Sequence, residues 1–320
     1  MPKILVTGGA GFIGSHVAER LLRRGDDVWV LDNFNDFYDP AIKRDNLRHL
    51  PGVRLVEADL RDEAAVAGLY ADVRFDGVVH LAAMAGVRPS LVDPLLYIDV
   101  NVRGTQILLQ RFEDRPDAHF VFASSSSVYG GNGRAPFRES DDIHRPVSPY
   151  AATKRAGELM CYTHHHLYGT PVTCLRYFTV YGPRQRPEMA IHTFIRRILA
   201  GEPIPFFGDG TTRRDYTYID DIVDGTIRAL DRPAGYRIFN LGESETISLA
   251  ELVAVIGEVT GVAPVLDRRP LPPGDMLVTH ADVSKAAAEI GYRPRTTIRT
   301  GLARFLAWYR EVNALATHEH

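Results

Sequence analysis

Thr7 to His16 read TGGAGFIGSH, directly after the apolar run Ile4-Leu5-Val6 and directly before an amphipathic stretch. The order is strand, glycine turn, helix. Only glycine lets a backbone turn this tightly and approach a pyrophosphate without a Cβ in the way. The helix that follows offers free N–H groups and a positive dipole end to the same place. The spacing is Gly8-x-x-Gly11-x-x-Gly14. A second apolar run, Val28-Trp29-Val30-Leu31, ends in Asp32, eighteen residues past Gly14. An acid at the end of the second strand hydrogen-bonds a ribose 2′-OH and repels a 2′-phosphate. These features predict a dinucleotide site, for NAD in preference to NADP.

The 320 residues suffice for one large or two ordinary domains. Apolar content of 45% and charged content of 24% belong to a soluble globular protein. A net charge of −3 argues against nucleic acid as the main partner. Cys161 and Cys174 are too few for a disulfide framework, so a cytoplasmic protein is expected. Met1-Pro2-Lys3 runs straight into the first strand, so no signal peptide is expected, and no apolar run is long enough to span a membrane.

Short β-rich runs alternate with helical periodicity through the first half. The runs are Ile4–Thr7, Val28–Leu31, Arg54–Glu57, Gly77–His80, His119–Ala123 and Val172–Arg176. Between them lie helical stretches at Ser15–Arg24, Glu63–Ala71, Asp99–Phe112 and Ala151–Tyr168. This alternation predicts an α/β, Rossmann-type doubly wound parallel sheet with ligand beyond the carboxyl ends of its strands. After about Phe178, prolines and glycines cluster, again at Pro270–Gly274. Shorter helices are expected there at Met189–Ala200, Ser248–Thr260, Ser284–Ile290 and Ile298–Val312. Residues 1–178 are therefore expected to form the NAD-binding domain. Residues 179–320 should form a smaller α/β substrate domain, with some segments returning to the first sheet. The tail Thr317–His320 is expected to fray.

Tyr150 and Lys154 are four apart at a helix start, which puts both on one face. An ammonium beside a phenol favours the phenolate, so the pair predicts a tyrosine general base. The buried-type strand Phe120–Ala123 delivers Ser124 to Ser127 to its carboxyl end, where a hydroxyl can share a substrate proton with the tyrosine.

At this point the chain resembles the extended short-chain dehydrogenases/reductases, of the nucleotide-sugar epimerase/dehydratase group. The matching pieces are TGGAGFIGSH, Asp59-Leu60, His80-Leu81-Ala82-Ala83, SSSSVYG, Tyr150-x-x-x-Lys154, Arg214-Asp215-Tyr216 and Asp220-Asp221. The resemblance implies that Asp59 and Leu60 hold the adenine and that Leu81, Ala82 and Ala83 border the ribose-phosphate region. It adds Phe12 and Ile13 beside the glycines, Asn33 after Asp32, and Asn101 to the cofactor set, with Tyr150 and Lys154 counted there as well. It makes Ser125 the catalytic serine, with Ser127, of the same strand parity, as the runner-up.

The group's chemistry is transient oxidation at a sugar carbon. An epimerase then turns the 4-keto sugar and returns the hydride to its other face. Dehydratases of the group carry Thr-Asp-Glu before VYG. Here those places are Ser125-Ser126-Ser127, which offer no carboxylate for elimination. The segments Leu31–Arg44, Leu81–Ser90, Ala123–Gly130 and Phe178–Ala190 look most like UDP-glucuronate 4-epimerases. That likeness implies that Thr179 and Arg186 meet a sugar carboxylate, which an arginine can bind bidentately. Arg88 is a second candidate cation. Phe207 is the candidate platform for uracil, and Arg214 and Arg269 the candidate diphosphate contacts. Departures are Arg184-Gln185 where those enzymes have Trp-Gly, Met84 where they have glutamine, and Thr279 near a tyrosine of some UDP-glucose 4-epimerases. UDP-glucose 4-epimerase is the alternative within the class. A non-catalytic, NAD-sensing regulator is the alternative outside it.

No metal is expected. His164-His165-His166 point in different directions along a partly exposed helix, and Asp220-Asp221 belong to a structural motif. Glu139, Asp141 and Asp142 are expected to form a solvated acidic loop. The group's habits make a homodimer the expected assembly, through a four-helix bundle of Asp99–Phe112 and Ala151–Tyr168.

Overall fold

Seven strands form one parallel sheet: β1 Lys3–Thr7, β2 Asp27–Asp32, β3 Arg54–Glu57, β4 Gly77–His80, β5 His119–Ser125, β6 Val172–Tyr177 and β7 Tyr236–Leu241. The computed structural model describes residues 1–271 and 276–318, with side chains as far as Ala314. The strand order is β7-β6-β5-β4-β1-β2-β3. The chain reverses direction across the sheet between β1 and β4, which opens a crevice beyond the carboxyl ends. In register, Thr7 lies opposite both Leu31 and His80, and Ser125 opposite Tyr177. Thr7, Asp32, His80 and Ser125 thus come to one edge of the sheet.

Alternation along the strands builds two apolar layers. Ile4, Val6, Val28, Val30, Val79 and Val121 pack on one face, with Phe12, Val17 and Leu21 of the helix Phe12–Arg24. Leu5, Leu31, Val78, Phe120 and Phe122 pack on the other, with Val66, Ile107, Leu108 and Cys161. Successive side chains of a strand point to opposite faces, so a sheet covered on both sides needs apolar residues at every position.

Several elements differ from the sequence reading. The stretch Asp99–Phe112 is not one regular α-helix. It opens with a wide turn, Asp99–Gly104, then continues as Thr105–Leu109 and a tighter turn, Gln110–Phe112. The wide turn points Asn101 inward, where its amide bonds both backbone groups of Met84 and the Thr153 hydroxyl. Helices Pro40–Arg48, Val87–Val92, Pro94–Ile98 and Ile219–Leu230 were not anticipated. Glu139 is not a solvated acid, because it is half-buried and accepts the Asn240 N–H at 2.8 Å. Asp141 accepts the Arg138 N–H at 2.9 Å, while Asp142 is exposed. His164 is buried rather than partly exposed, and His166 is exposed. Part of the tail Thr317–His320 and part of the Pro270–Gly274 loop lie outside the described residues. No helix among the described residues is long and apolar enough to cross a membrane.

A buried ion pair ties β6 to the helix Pro149–Tyr168. Arg176 donates from Nε and Nη2 to Glu158 at 2.8 and 2.9 Å, and from Nη1 to the Tyr129 hydroxyl at 3.0 Å. Ser124 Oγ donates to the same carboxylate at 2.6 Å. Tyr129 in turn donates to Asn240 on β7 at 2.6 Å.

Candidate active site

The first glycine turn is held by backbone contact. Gly8 N–H donates to Leu31 carbonyl at 2.7 Å, and its φ is +67°. A Cβ on Gly8 would stand 2.8 Å from the Ala82 backbone, and one on Gly14 would stand 2.1 Å from the Gly8 carbonyl oxygen. Gly11 precedes the helix Phe12–Arg24 with no side chain capping its first N–H groups. Those donors are left for an anion.

Asp32 is buried at the end of β2. One oxygen accepts the Ala10 N–H at 3.1 Å and the other the Phe34 N–H at 2.9 Å. Burial pushes its carboxyl up, while these N–H groups and Lys43 oppose the rise. Each oxygen keeps a lone pair for a hydroxyl donor. The cradle that a Cβ would fill and the fixed acid fit a dinucleotide with a free ribose 2′-OH. Asn33 donates to Asp59 at 2.9 Å, and Arg61 holds the Asp59 carboxyl well below the usual carboxylate range.

A directed hydrogen-bond chain supports the wall at Leu81–Ala83. Thr105 donates its hydroxyl to the Asn101 carbonyl at 2.6 Å, so it accepts from His80 Nε2 at 2.9 Å. Nδ1 then accepts from Thr7 at 2.6 Å, and Thr7 Oγ1 accepts the Ala82 N–H at 3.2 Å. Burial drives His80 down to about 3, which keeps it neutral in this chain.

Ser125 follows from β5 in extended backbone, and its Oγ accepts the Ser127 N–H at 3.1 Å. It is also close enough to the Tyr150 phenol to draw its pKa down. Tyr150 and Lys154 leave the start of the helix Pro149–Tyr168, which Ser148 caps through the Ala151 N–H at 3.1 Å. The spacing argument puts Lys154 at work on the phenol. Instead, its Nζ donates to the Ala123 carbonyl at 2.7 Å and lies 5.9 Å from the Tyr150 ring centre. Burial pushes the Tyr150 phenol up, against Ser125 and the charge of Arg186, which lower it. Among the protein's own groups, desolvation outweighs the charge of Arg186 at that phenol.

One cavity of about 610 Å³ gathers most of these groups. Gly8, Gly11, Phe12, Ile13, Gly14, Asp32, Asn33, Asp59, Leu60, Leu81, Ala82 and Ala83 line one part of it. Ser125, Ser127, Tyr150, Lys154, Arg88, Thr179, Arg186 and Arg214 line the rest, with Met84 and Thr279. Three anticipated residues stay off its wall. Asn101 lies behind Met84, where its whole amide is used. Phe207 lies under the Arg88 guanidinium at 5.4 Å, and Arg269 pairs with Asp267 at 2.6 Å. Arg184 pairs with Glu19 on the first helix at 2.8 Å, and Gln185 donates to the Val180 carbonyl at 3.1 Å. Neither of these two departures reaches the cavity.

The sequence reading missed Phe37, Tyr38 and Lys43, which also line the cavity. Lys43 is anchored by Asn35, donating to its carbonyl at 2.9 Å and its side chain at 2.8 Å. Their signal lies in the segment Leu31–Arg44, where two aromatics and a lysine follow closely on Asp32. Two buried polar atoms in the cavity wall lack a hydrogen-bond partner: Ser127 Oγ and Arg186 Nε. Buried polar groups are rarely left so, and both residues belong to the cavity wall, with a Glu188 carboxylate oxygen 2.9 Å from Arg186 Nε but not aligned as an acceptor. Among the described residues no group of three or more His, Cys, Asp or Glu is placed to hold a metal.

Residues 4–242 match the NAD dependent epimerase/dehydratase family. The chain belongs to that family. It is 45% identical to UDP-glucuronate 4-epimerase 3 of Arabidopsis thaliana, over 96% of this chain and 76% of the relative. Its fold superposes with a TM-score of 0.91 on UDP-glucuronic acid 4-epimerase of Bacillus cereus, solved with UDP-glucuronic acid and NAD. That pair is 36% identical over 97% of this chain and 99% of the other. A UDP-glucose 4-epimerase of Thermotoga maritima, solved with UDP-glucose, superposes at 0.90 with 32% identity, again over 97% and 99%.

The electrostatics of Lys154 give a measurable signature. Burial pushes its ammonium down to about 8, from an ordinary 10.5. Below the folded value both states hold the proton, and the folded state bears the cost of a buried charge. Between about 8 and 10.5 folded Lys154 is neutral while the unfolded chain still binds the proton, so stability rises with pH. Lys154→Met is expected to remove up to about 1.4 kcal/mol per pH unit of that rise. Urea unfolding across this window checks it; an unchanged slope would contradict the assignment.

Proposed function

We propose that this protein is an NAD-dependent 4-epimerase that interconverts UDP-glucuronate and UDP-galacturonate. The observation that carries the reading is Arg186, which lines the same cavity as Tyr150 with a buried, unpartnered Nε. An acidic sugar supplies an aligned acceptor, which the half-exposed Glu188 carboxylate beside this donor does not. The relatives named for UDP-glucuronate support the same choice.

Gly8, Gly11, Gly14 and Asp32 would hold NAD, with Asn33, Asp59, Leu60 and Leu81–Ala83 along its length. NAD, when bound, supplies the hydride acceptor at C4 of the sugar and a positive ring charge beside Tyr150. Tyr150 takes the proton of the C4 hydroxyl, and Ser125 holds the phenol and that hydroxyl in line. Lys154 fixes the end of β5 through the Ala123 carbonyl and adds positive charge below the tyrosine ring. Ser127 offers a free hydroxyl to the sugar. Thr179 and Arg186 take the carboxylate. A fixed carboxylate also protects the 4-keto intermediate, because a β-keto acid loses CO₂ when its C–C bond aligns with the ketone π system.

Residues 179–320 contribute Thr179, Arg186, Arg214 and Thr279 to the sugar end, which supports a substrate-binding role for that half. Phe207 and Arg269 are neighbours across a short parallel pair, and Phe207 stands under Arg88 of the cavity wall. We assign uracil and diphosphate recognition to this region together with Arg214.

The protein is proposed to act as a homodimer in the cytoplasm. Leu91, Val92, Leu95 and Ile98 are exposed on the short helices that pack beside Pro149–Tyr168, where Leu159 and Tyr162 are also exposed. Exposed apolar residues gathered on helices that pack together support an interface there. The patch draws Leu159 and Tyr162 from one helix of the expected bundle and the remaining residues from the short helices just before Asp99.

Two measurements test these assignments. Arg186→Ala is expected to raise KM for UDP-glucuronate about 10- to 100-fold, and to change KM for UDP-glucose less than about threefold. Equal effects on both sugars would contradict the carboxylate role. Sedimentation analysis is expected to give a dimer that Leu95→Glu converts to monomer. A monomeric wild type at micromolar concentration would contradict the interface.

A further inference from the structure

We infer that Glu188 is the resident counter-ion of Arg186, and that by competing for its guanidinium it sets how strongly the site prefers an acidic sugar. The inference rests on the reading of Arg186 as the carboxylate ligand.

Glu188 follows Arg186 across Pro187, just before the helix Ala190–Leu199. Its Oε1 lies 2.9 Å from Arg186 Nε. The contact is one of charge and not a formed hydrogen bond, because that N–H remains without a partner. The two side chains differ in exposure: Glu188 is 44% exposed and Arg186 21%. Glu188 therefore has water to turn to when displaced, whereas Arg186 stays in the wall. The Arg186 guanidinium also lies 5.5 Å over the Phe37 ring, a contact that holds it while its anionic partner changes. Both charges act on the same neighbours. Arg186 pulls the Tyr38 and Tyr97 phenols down and Glu188 pushes them up. Glu188 thus offsets at the cavity wall the charge that Arg186 presents.

An ion pair with one well-solvated partner is weak. A sugar carboxylate that gives Arg186 Nε an aligned acceptor replaces it with a stronger, charge-assisted bond. A neutral hexose has no group to make this exchange, so the Arg186–Glu188 pair stays closed and binding is unaffected by it. Glu188 thus weakens the binding of uronates selectively, and keeps the cavity near neutral for hexoses.

The test is Glu188→Gln, which keeps shape and removes charge. Steady-state kinetics with UDP-glucuronate and UDP-glucose are expected to show KM for the uronate falling about three- to tenfold. KM for the hexose and both kcat values should hold. Raising ionic strength should narrow the gap between variant and wild type for the uronate. A uronate KM that is unchanged or raised, or one that moves in parallel with the hexose KM, overturns the inference while the proposed function stands. A wild type that turns over UDP-glucose and not UDP-glucuronate overturns the proposed function and this inference together.

Discussion

The site depends on one buried ion pair that touches no ligand. Glu158 and Arg176 are 0% and 1% exposed. Removing one partner of such a pair leaves an uncompensated charge and typically costs about 3–5 kcal/mol. Here the pair does more than balance charge. Glu158 stands one helical turn past Lys154 and accepts from Ser124, the residue before Ser125. Arg176 anchors it to β6 and, through Tyr129 and Asn240, to β7. The helix that carries Tyr150 and the strand end that carries Ser125 are thereby fixed to one frame. Lys154 adds a second tie between the same elements through the Ala123 carbonyl.

Within that frame the protein alone does not make Tyr150 acidic. The phenol is raised by burial, and the lysine four residues on gives its direct hydrogen bond elsewhere. Arg186 acts on Tyr150 as well as on the sugar end of the cavity. The charge of Arg186 thus bears on Tyr150 directly, whereas Glu188 meets the guanidinium and is not among the groups that act on the phenol. The cradle at the other end works by shape. Gly8 and Gly14 leave no room for a Cβ, and the helix beyond them leaves its first donors open.

Six of the seven sheet strands are legible as short β-rich runs; five are apolar because the sheet is covered on both faces there, and the edge strand Arg54–Glu57 is largely exposed. The seventh, Tyr236–Leu241, is not, since Arg237 and Asn240 interrupt its run and only pairing with β6 makes it a strand. The helix Ile219–Leu230 was legible and unread. Ile219, Ile222, Val223, Ala229 and Leu230 all face the core, beside the two acids Asp220 and Asp221 of the first turn. In the site, residues fixed by backbone geometry or strand ends could be named from sequence and fall on the cavity wall. Asn101 could not be placed, because the wide turn at Asp99–Gly104 decides where it points. Glu158, Arg176 and Glu188 were invisible, since a charged residue in a sequence does not announce whether it is buried or which charge it meets.

In the proposed reaction Tyr150, Ser125 and Arg186 act together on C4 of a UDP-uronate. Proton NMR of the purified protein with UDP-glucuronate, without added reductant, tests it most directly. The account predicts a new anomeric signal from the C4 epimer, growing to an equilibrium mixture that is also reached from UDP-galacturonate. No epimer from UDP-glucuronate, under conditions where UDP-glucose is converted, would contradict it.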